Sequence, residues 1–221
     1  MTPENHMTPT SNAALLALPV GSESSVPKRQ ISFADFIAQT SNGTWAEWVE
    51  GEIVTMTVAN EQTDLTGFLL SLLRFLAEAN KLGRVFFEPF IMKTGADLPG
   101  RAPDVFFVGK DNLPNLKKYY FDGPADLVIE VISTESRARD RGEKYYEYEE
   151  GGVPEYWLID PQRKQVDFYQ LGEDKLYHTI NPDEDGIYHS QVMPGLWLKV
   201  DWLWQEPLPE LLSVLQAWKL I

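Results

Sequence analysis

The clearest hydrophobic pattern in the chain lies within residues 124–160. Residues 127–132 read Leu-Val-Ile-Glu-Val-Ile, a nearly continuous apolar run rich in β-branched side chains. A run of this length and composition predicts a strand buried on both faces. Glu130 interrupts it, and a buried carboxylate is costly unless it is paired, protonated or bound to a cation. Glu130 is therefore the first candidate for chemistry, with an ion pair or a solvent-exposed strand end as the alternative.

Two segments before this strand have apolar residues at helical spacing. The first predicts a short helix capped by Ser32 and closed at Asn42-Gly43. The second begins at Asn60 and continues to Gly83, and its apolar face is expected to pack on the sheet. Between the two helices, residues 45–49 and 53–58 flank Glu50-Gly51-Glu52, an arrangement that predicts a hairpin.

The remaining pattern predicts mostly strands. In chain order it predicts a strand over 84–93 that Glu88-Pro89 disturbs, a strand over 103–108, a polar loop over 109–123, a helix over 134–150 ended by Gly151-Gly152, strands over 156–159 and 166–171, a meander over 176–180 and 187–192, and a final helix opened by Pro209. The inner face of the final helix is expected to carry Leu211, Leu212, Leu215 and Trp218.

Composition sets the domain plan and the compartment. Residues 1–27 are poor in periodic apolar residues and predict a disordered arm, whereas residues 28–221 are expected to form a single domain. With no cysteine in the chain, disulfides and thiolate metal sites are excluded, and the cytoplasm is the expected compartment. The apolar run at 13–20 is too short to cross a bilayer, so we expect no membrane anchor.

The net charge of −14 opposes broad, sequence-independent binding to nucleic acid. A nucleic-acid function would therefore depend on local basic patches or on metal ions. The candidate patch consists of Arg137, Arg139, Arg141 and Lys144 on one predicted helix together with Lys117 and Lys118. A solvated helix face explains the same pattern equally well.

Two acids on different strands are the candidate metal ligands. Asp104 stands at the start of one predicted strand and Glu130 in the body of another, and strands of one sheet can bring such acids together. Paired carboxylates suit a hard cation such as Mg²⁺. Lys144 follows Arg137 and Arg141 at helical spacing and can point back at Glu130. The alternative is that Lys144 faces water and pairs with Asp140 one turn earlier.

Several segments together resemble the Uma2 family, whose members are described as restriction endonucleases. The resemblance covers roughly residues 31–200. It is carried by Pro-Asp-Val at 103–105, DLVIEVIS at 126–133, DRGEK at 140–144 with Tyr148, GVPEYWLIDP at 152–161, and the glutamate and acid-glycine turn within 47–56.

The resemblance implies a fold and a set of site residues. The implied fold is α/β (α+β), a mixed β-sheet of the PD-(D/E)XK nuclease type flanked by helices and preceded by the hairpin. By resemblance, Asp104 and Glu130 would be metal ligands, Glu47 would complete the acidic cluster, and Lys144 would stand in for a lysine moved from strand to helix. The chain departs from the family pattern at Ile132, where the superfamily has lysine, and at Gln62, where many members have histidine.

The resemblance also implies a function. We expect a Mg²⁺- or Mn²⁺-dependent DNA endonuclease that works as a homodimer. The alternative is a catalytically inactive module of the same fold that binds nucleic acid or protein. A third possibility is a hydrolase of small phosphate esters.

Overall fold

The computed structural model describes residues 30–40, 45–55, 60–132 and 140–221, with the backbone alone for residues 60–62. The predicted arm at 1–27 and the first part of the predicted helix over 134–150 lie outside the described residues. The division of the chain into an arm and one domain stays a prediction.

The helices of the described region agree with the apolar pattern. They are α1 (Phe33–Thr40), α2 (Asn60–Ala79), α3 (Glu143–Gly151) and α4 (Leu211–Ala217). Ser32 Oγ accepts a hydrogen bond of 3.1 Å from the Asp35 N–H, so it caps α1 as predicted. Gly152 ends α3 in the left-handed region at φ 80°, which a residue without Cβ adopts without strain.

The strands form three sheets. In chain order they are β1 (Ala46–Val49), β2 (Glu52–Thr55), β3 (Gly83–Phe87), β4 (Ile91–Lys93), β5 (Gly100–Arg101), β6 (Val105–Gly109), β7 (Tyr120–Asp122), β8 (Leu127–Val131), β9 (Glu155–Asp160), β10 (Gln165–Leu171), β11 (Tyr177–Thr179), β12 (Ile187–His189) and β13 (Trp197–Lys199).

The largest sheet is mixed. It has six strands in the order β11-β10-β9-β8-β6-β3, and β8 and β9 are parallel, whereas the other neighbours are antiparallel. A smaller sheet has the order β2-β1-β5-β4-β7 and contains the predicted hairpin as β1 and β2. The third sheet pairs β12 with β13.

Both faces of the large sheet are covered. One face packs against α2 and α4 through a core that includes Leu72, Ile129 and Trp157. The opposite face packs against α3 and includes Val128 and Tyr148. Every residue of β8 is buried, so the prediction of a strand buried on both faces is confirmed.

Three element predictions were wrong in detail. Residues 84–93 are not one strand: β3 belongs to the large sheet and β4 to the smaller one, and Pro89 between them has no N–H for the ladder. The predicted meander is interrupted because β11 pairs with β10 but β12 pairs with β13. In α4, Leu212 is 62% exposed, and the buried face carries Val214 and Leu215.

Short strands were missed altogether. β5, β7 and β13 have two or three residues each; β7 lies in the predicted polar loop over 109–123, and no strand was predicted at β5 or β13. Their pairing depends on distant partners and leaves little trace in local periodicity.

In the described part of the chain, no helix has the length and apolar character that crossing a membrane requires.

Candidate active site

The register of the large sheet brings Asp104 and Glu130 together. β6 and β8 are antiparallel with Val105 opposite Ile129, so one further step along each chain sets Asp104 opposite Glu130. Directly opposite residues share a face of the sheet and have Cβ atoms about 4.5–5.5 Å apart. Asp104 Oδ2 also accepts a hydrogen bond of 2.6 Å from the Val131 N–H, which holds the carboxylate at this edge.

Lys144 on α3 points at the same spot. Its Nζ lies 2.9 Å from Glu130 Oε1 and 3.6 Å from Glu47 Oε1. Asp140 Oδ1 is 3.1 Å from the same nitrogen, so the ion pair one turn earlier also forms. Because Lys144 is buried, the alternative in which its side chain faces water does not describe this structure.

Glu47 comes from the smaller sheet and is held by Arg101. Arg101 Nη1 donates to Glu47 Oε2 at 2.9 Å, and the Ala102 N–H donates to Glu47 Oε1 at 3.2 Å. Arg101 also makes two bonds of 2.7 Å to Glu147 on α3. Through these bonds the Arg101 guanidinium joins the smaller sheet to the helix that carries Lys144. Arg101 and Glu47 are both buried.

Two tyrosines on the same face of the large sheet contact the Glu130 carboxylate and the backbone of Asp140. The Tyr148 hydroxyl donates to Glu130 Oε1 at 2.7 Å, and the Tyr156 hydroxyl donates to the Asp140 carbonyl at 3.1 Å. The rings of the two tyrosines are in edge contact, with centroids 5.2 Å apart. The chain therefore positions Glu130 through a hydroxyl and an ammonium at once.

The acids of the cluster are short of positive charge. Burial raises the pKa of Asp104 to about 7, although Lys144 and the Val131 N–H act in the opposite direction. Burial likewise raises the pKa of Glu130 to about 8; Lys144 opposes this rise, and Asp104, Asp140 and Glu47 add to it. A further cation would therefore stabilise the ionised forms of both acids.

Lys144 has the opposite balance. Burial disfavours its charged form, but Glu130, Glu47 and Asp140 together outweigh burial and raise the pKa of Lys144 well above its ordinary value. Lys144 is therefore an ammonium ion over the whole physiological range.

The donor chemistry at Asp104 and Glu130 fits a hard divalent cation. Carboxylate oxygens are the ligands that Mg²⁺ and Mn²⁺ prefer, and the excess of acids over bases calls for positive charge at this edge. In the described residues, no three His, Asp or Glu side chains are already arranged as an enclosing metal site. Two facing carboxylates with the remaining positions left to water match the way Mg²⁺ is usually held.

Sequence reasoning missed one acid of this edge. Phe87, the last residue of β3, is opposite Val105, the first residue of β6, so Glu88 follows this pair and Asp104 precedes it. Glu88 is half-buried, and its charge contributes to the raised pKa of Asp104. Glu88 after β3, Asp104 before β6 and Glu130 in β8 thus form a row at one end of three adjacent strands. Only the strand register reveals this row, because Glu88 reads locally as a residue that disturbs a strand.

The predicted phosphate-binding residues that the structure describes each have a neighbour of their own. Arg141 Nη1 lies 3.0 Å from Asp167 Oδ2, so its charge is engaged by an acid. Lys117 lies 3.6 Å from Asp122, and Lys118 lies over the ring of Tyr119. Both lysines are on the loop before β7. Arg137 and Arg139 lie outside the described residues.

The two departures from the family pattern have different outcomes. Ile132 is buried in the core that includes Val128 and Tyr148 and presents no charge to the site. That Lys144 takes the place of this lysine stays a prediction. The side chain of Gln62 lies outside the described part of the chain.

Comparison with known proteins identifies the family. The Uma2 family, described as "Putative restriction endonuclease", matches residues 33–201, which is most of the chain. The chain belongs to the Uma2 family. The match agrees with the resemblance seen over roughly residues 31–200, and the predicted family is confirmed.

A solved structure supports the fold. A protein from Anabaena variabilis ATCC 29413, described as "a putative nuclease belonging to DUF820", has a TM-score of 0.58 to this Uma2 protein at 17% sequence identity. The similarity covers 72% of this chain and 88% of the other. The expected nuclease-like mixed sheet flanked by helices is therefore confirmed. None of the curated proteins compared with the chain matches it significantly.

Proposed function

We propose that this Uma2 protein is a divalent-metal-dependent endonuclease that hydrolyses phosphodiester bonds of DNA. The observation that carries the proposal is the meeting of Lys144 Nζ with Glu130, at 2.9 Å, beside Asp104 in the opposite strand. Two carboxylates and one ammonium at the edge of a mixed sheet are the minimal set for this chemistry. The family description supports the same reaction class.

Asp104 and Glu130 would hold Mg²⁺ or Mn²⁺ in this proposal. When bound, such an ion lowers the pKa of a coordinated water and offsets negative charge on the phosphate. The protein's own part is to keep both carboxylates in place: the Val131 N–H holds Asp104, and the Tyr148 hydroxyl holds Glu130.

Lys144 acts as a fixed positive charge. Because its pKa is raised by three neighbouring acids, it does not serve as a general base. Its role in the proposal is to donate hydrogen bonds that orient the attacking water or stabilise charge on the scissile phosphate. Glu47, held by Arg101, positions the ammonium from the smaller sheet.

Nicking of supercoiled plasmid tests the proposal. We expect nicking with Mg²⁺ or Mn²⁺ and none with EDTA. Glu130→Gln and Lys144→Met, which keep side-chain size but remove charge, should each lower the rate by about 100-fold or more. Arg163→Ala, at an exposed turn, is the matched control and should nick like the wild type. Circular dichroism confirms that each variant folds. Metal-dependent nicking that persists in both charge-removing variants would refute the assignment.

A catalytically inactive binding module is the second candidate. Glu130 Oε1 already contacts both the Tyr148 hydroxyl and Lys144, so the cluster is also a coherent structural network. The module predicts DNA binding that is indifferent to metal and to Glu130→Gln, with no nicking. Turnover of a small phosphate ester without nicking would instead indicate the third possibility, a small-molecule hydrolase.

The homodimer and the cytoplasmic location belong to the proposal, and sedimentation analysis tests the dimer.

A further inference from the structure

A groove of about 430 Å³ runs along β3, the edge strand of the large sheet. We call it the edge groove. Its functional lining consists of Arg74, Arg84, Phe86, Phe87, Lys118 and Tyr119. These residues come from α2, from β3 and from the loop before β7. These six residues therefore come from three separate segments, and Lys118 alone among them belongs to the predicted phosphate-binding set.

Each cation of the edge groove lies over an aromatic ring of the same groove. Arg74 is 5.1 Å from the centroid of Phe87, and Arg84 is 5.0 Å from that of Phe86. Lys118 is 4.8 Å from the centroid of Tyr119. None of the three cations forms an ion pair with a carboxylate of the described residues. In a chain of net charge −14, three such cations in one groove form a local positive site.

Two of the rings are open to solvent. Phe87 is 41% exposed and Tyr119 is 43% exposed. The groove also reaches the ring of Phe86, which is stacked with the rings of Phe90 and Phe106 at centroid distances of 5.0 and 5.2 Å. The exposed rings of Phe87 and Tyr119 offer flat apolar faces beside positive charge.

The edge groove leads to the acidic cluster. Glu88 lines the groove directly after the end of β3, and its charge acts on Asp104. A ligand lying along the groove therefore ends at the row of Glu88, Asp104 and Glu130. This continuity relates the groove to the proposed reaction centre.

We propose that the edge groove binds an unpaired segment of a DNA strand and leads it to the acidic row. Bases stack on Phe87 and Tyr119, and backbone phosphates lie at Arg74, Arg84 and Lys118. The inference deepens the proposed function and rests on it for the identity of DNA as the ligand. The groove's volume suits a nucleotide-sized ligand.

The aromatic faces favour an unpaired strand over a duplex. In a duplex the bases stack on one another, so a protein that binds its exterior gains little from open rings. A single strand exposes base faces, and stacking on aromatic side chains is then a major source of affinity. The combination of stacking faces with cations is the pattern of a single-strand groove.

Equilibrium binding to full-length protein tests the inference without requiring cleavage. Fluorescence anisotropy with a short labelled oligodeoxythymidylate is measured in EDTA over a range of salt. Phe87→Ala should weaken binding about 5- to 100-fold with the salt slope unchanged. Arg84→Ala should weaken binding and reduce the magnitude of the slope of log K against log salt by about 0.7. Phe87→Trp, which keeps a stacking face, should retain binding.

Matched controls lie outside the groove. Phe75 is also exposed on α2 but does not line the groove, so Phe75→Ala should bind like the wild type, as should Arg163→Ala. Binding that Phe87→Ala leaves unchanged, equal affinity for a duplex of the same length, or equal competition by polyglutamate would each overturn the inference.

The outcome is separable from that of the plasmid assay. Groove-dependent binding without nicking supports the groove and refutes the endonuclease. Nicking together with oligonucleotide binding that the groove substitutions leave unchanged would support the endonuclease and refute the groove.

Discussion

Lys144 is held by three acids that come from three different elements. Glu47 lies on β1, Glu130 on β8 and Asp140 just before α3, and all three are buried with it. Removing one member of such a buried set leaves uncompensated charge, which is costly. The cluster is thus both a structural joint and the proposed site of chemistry. Because the cluster holds more acids than bases, we expect the stability of the protein to depend on pH.

The metal-free protein should lose stability as pH rises. The folded-state pKa values of about 7 for Asp104 and about 8 for Glu130 lie above the ordinary values of 3.8 and 4.5. The folded state therefore binds more protons than the unfolded state between these values. The contribution of Asp104 and Glu130 to the free energy of unfolding is complete when the pH is below their ordinary pKa values. This contribution is lost as the pH rises through their folded-state pKa values. The expected slope is roughly 1.4 kcal/mol per pH unit for each proton released.

Urea unfolding in EDTA from about pH 6 to about pH 9 measures this slope. Glu130→Gln removes one titrating group and should flatten the profile. A wild-type free energy of unfolding that stays constant or rises over this range would contradict the charge balance described for the cluster.

The decisive element is α3, which closes one face of the large sheet. It carries Lys144 and Tyr148 toward Glu130, and it presents Glu147 to Arg101. Through Arg101 the helix is tied to β5 and through Lys144 to β8. The position of the ammonium relative to the carboxylates therefore depends on contacts made by the first two turns of this helix.

Arg101→Met should destabilise the protein by about 3–5 kcal/mol, because it leaves the buried Glu47 without its guanidinium partner. The free energy of unfolding in urea measures the effect. Arg163→Met at an exposed position is the control and should change stability by less than about 0.5 kcal/mol. A loss for Arg101→Met as small as the control's would mean that Arg101 does not join α3 to the smaller sheet energetically.

On the scale of the whole molecule, the large sheet has an acidic row at one edge of its strands and a basic, aromatic groove along β3. The row gathers Glu88, Asp104 and Glu130, and the groove begins at Glu88. The two features together suit a negatively charged strand that meets a cation at its end. Because the net charge of −14 repels DNA from the rest of the surface, the proposed binding would be confined to the edge groove.

Mg²⁺ should raise the thermal stability of the whole protein. A ligand that binds only the folded state at about 100 times its dissociation constant adds about 2.7 kcal/mol. Asp104→Asn should abolish most of this gain, whereas Arg163→Ala should keep it. Differential scanning fluorimetry at matched ionic strength measures both. An equal gain in Asp104→Asn and wild type would place the ion elsewhere on the protein.

Much of the architecture follows from local pattern. The continuous β-branched run of β8 predicted burial on both faces, and helical spacing predicted α2 and the end of α3. These predictions succeeded because hydrophobic periodicity and the glycines that end helices act over only a few residues. The same reasoning selected Glu130, since a carboxylate inside an apolar strand is conspicuous without any coordinates.

What only the tertiary structure decided concerns register and direction. The sequence by itself indicated β8, α2, the family and the four candidate residues Glu47, Asp104, Glu130 and Lys144. The folded chain decided that Lys144 turns inward, that Glu88 joins the row, that residues 84–93 divide between two sheets, and that Arg101 holds Glu47. The physical reason is that hydrophobic period specifies which face a residue occupies, whereas its partners across a sheet depend on pairing between segments far apart in the chain.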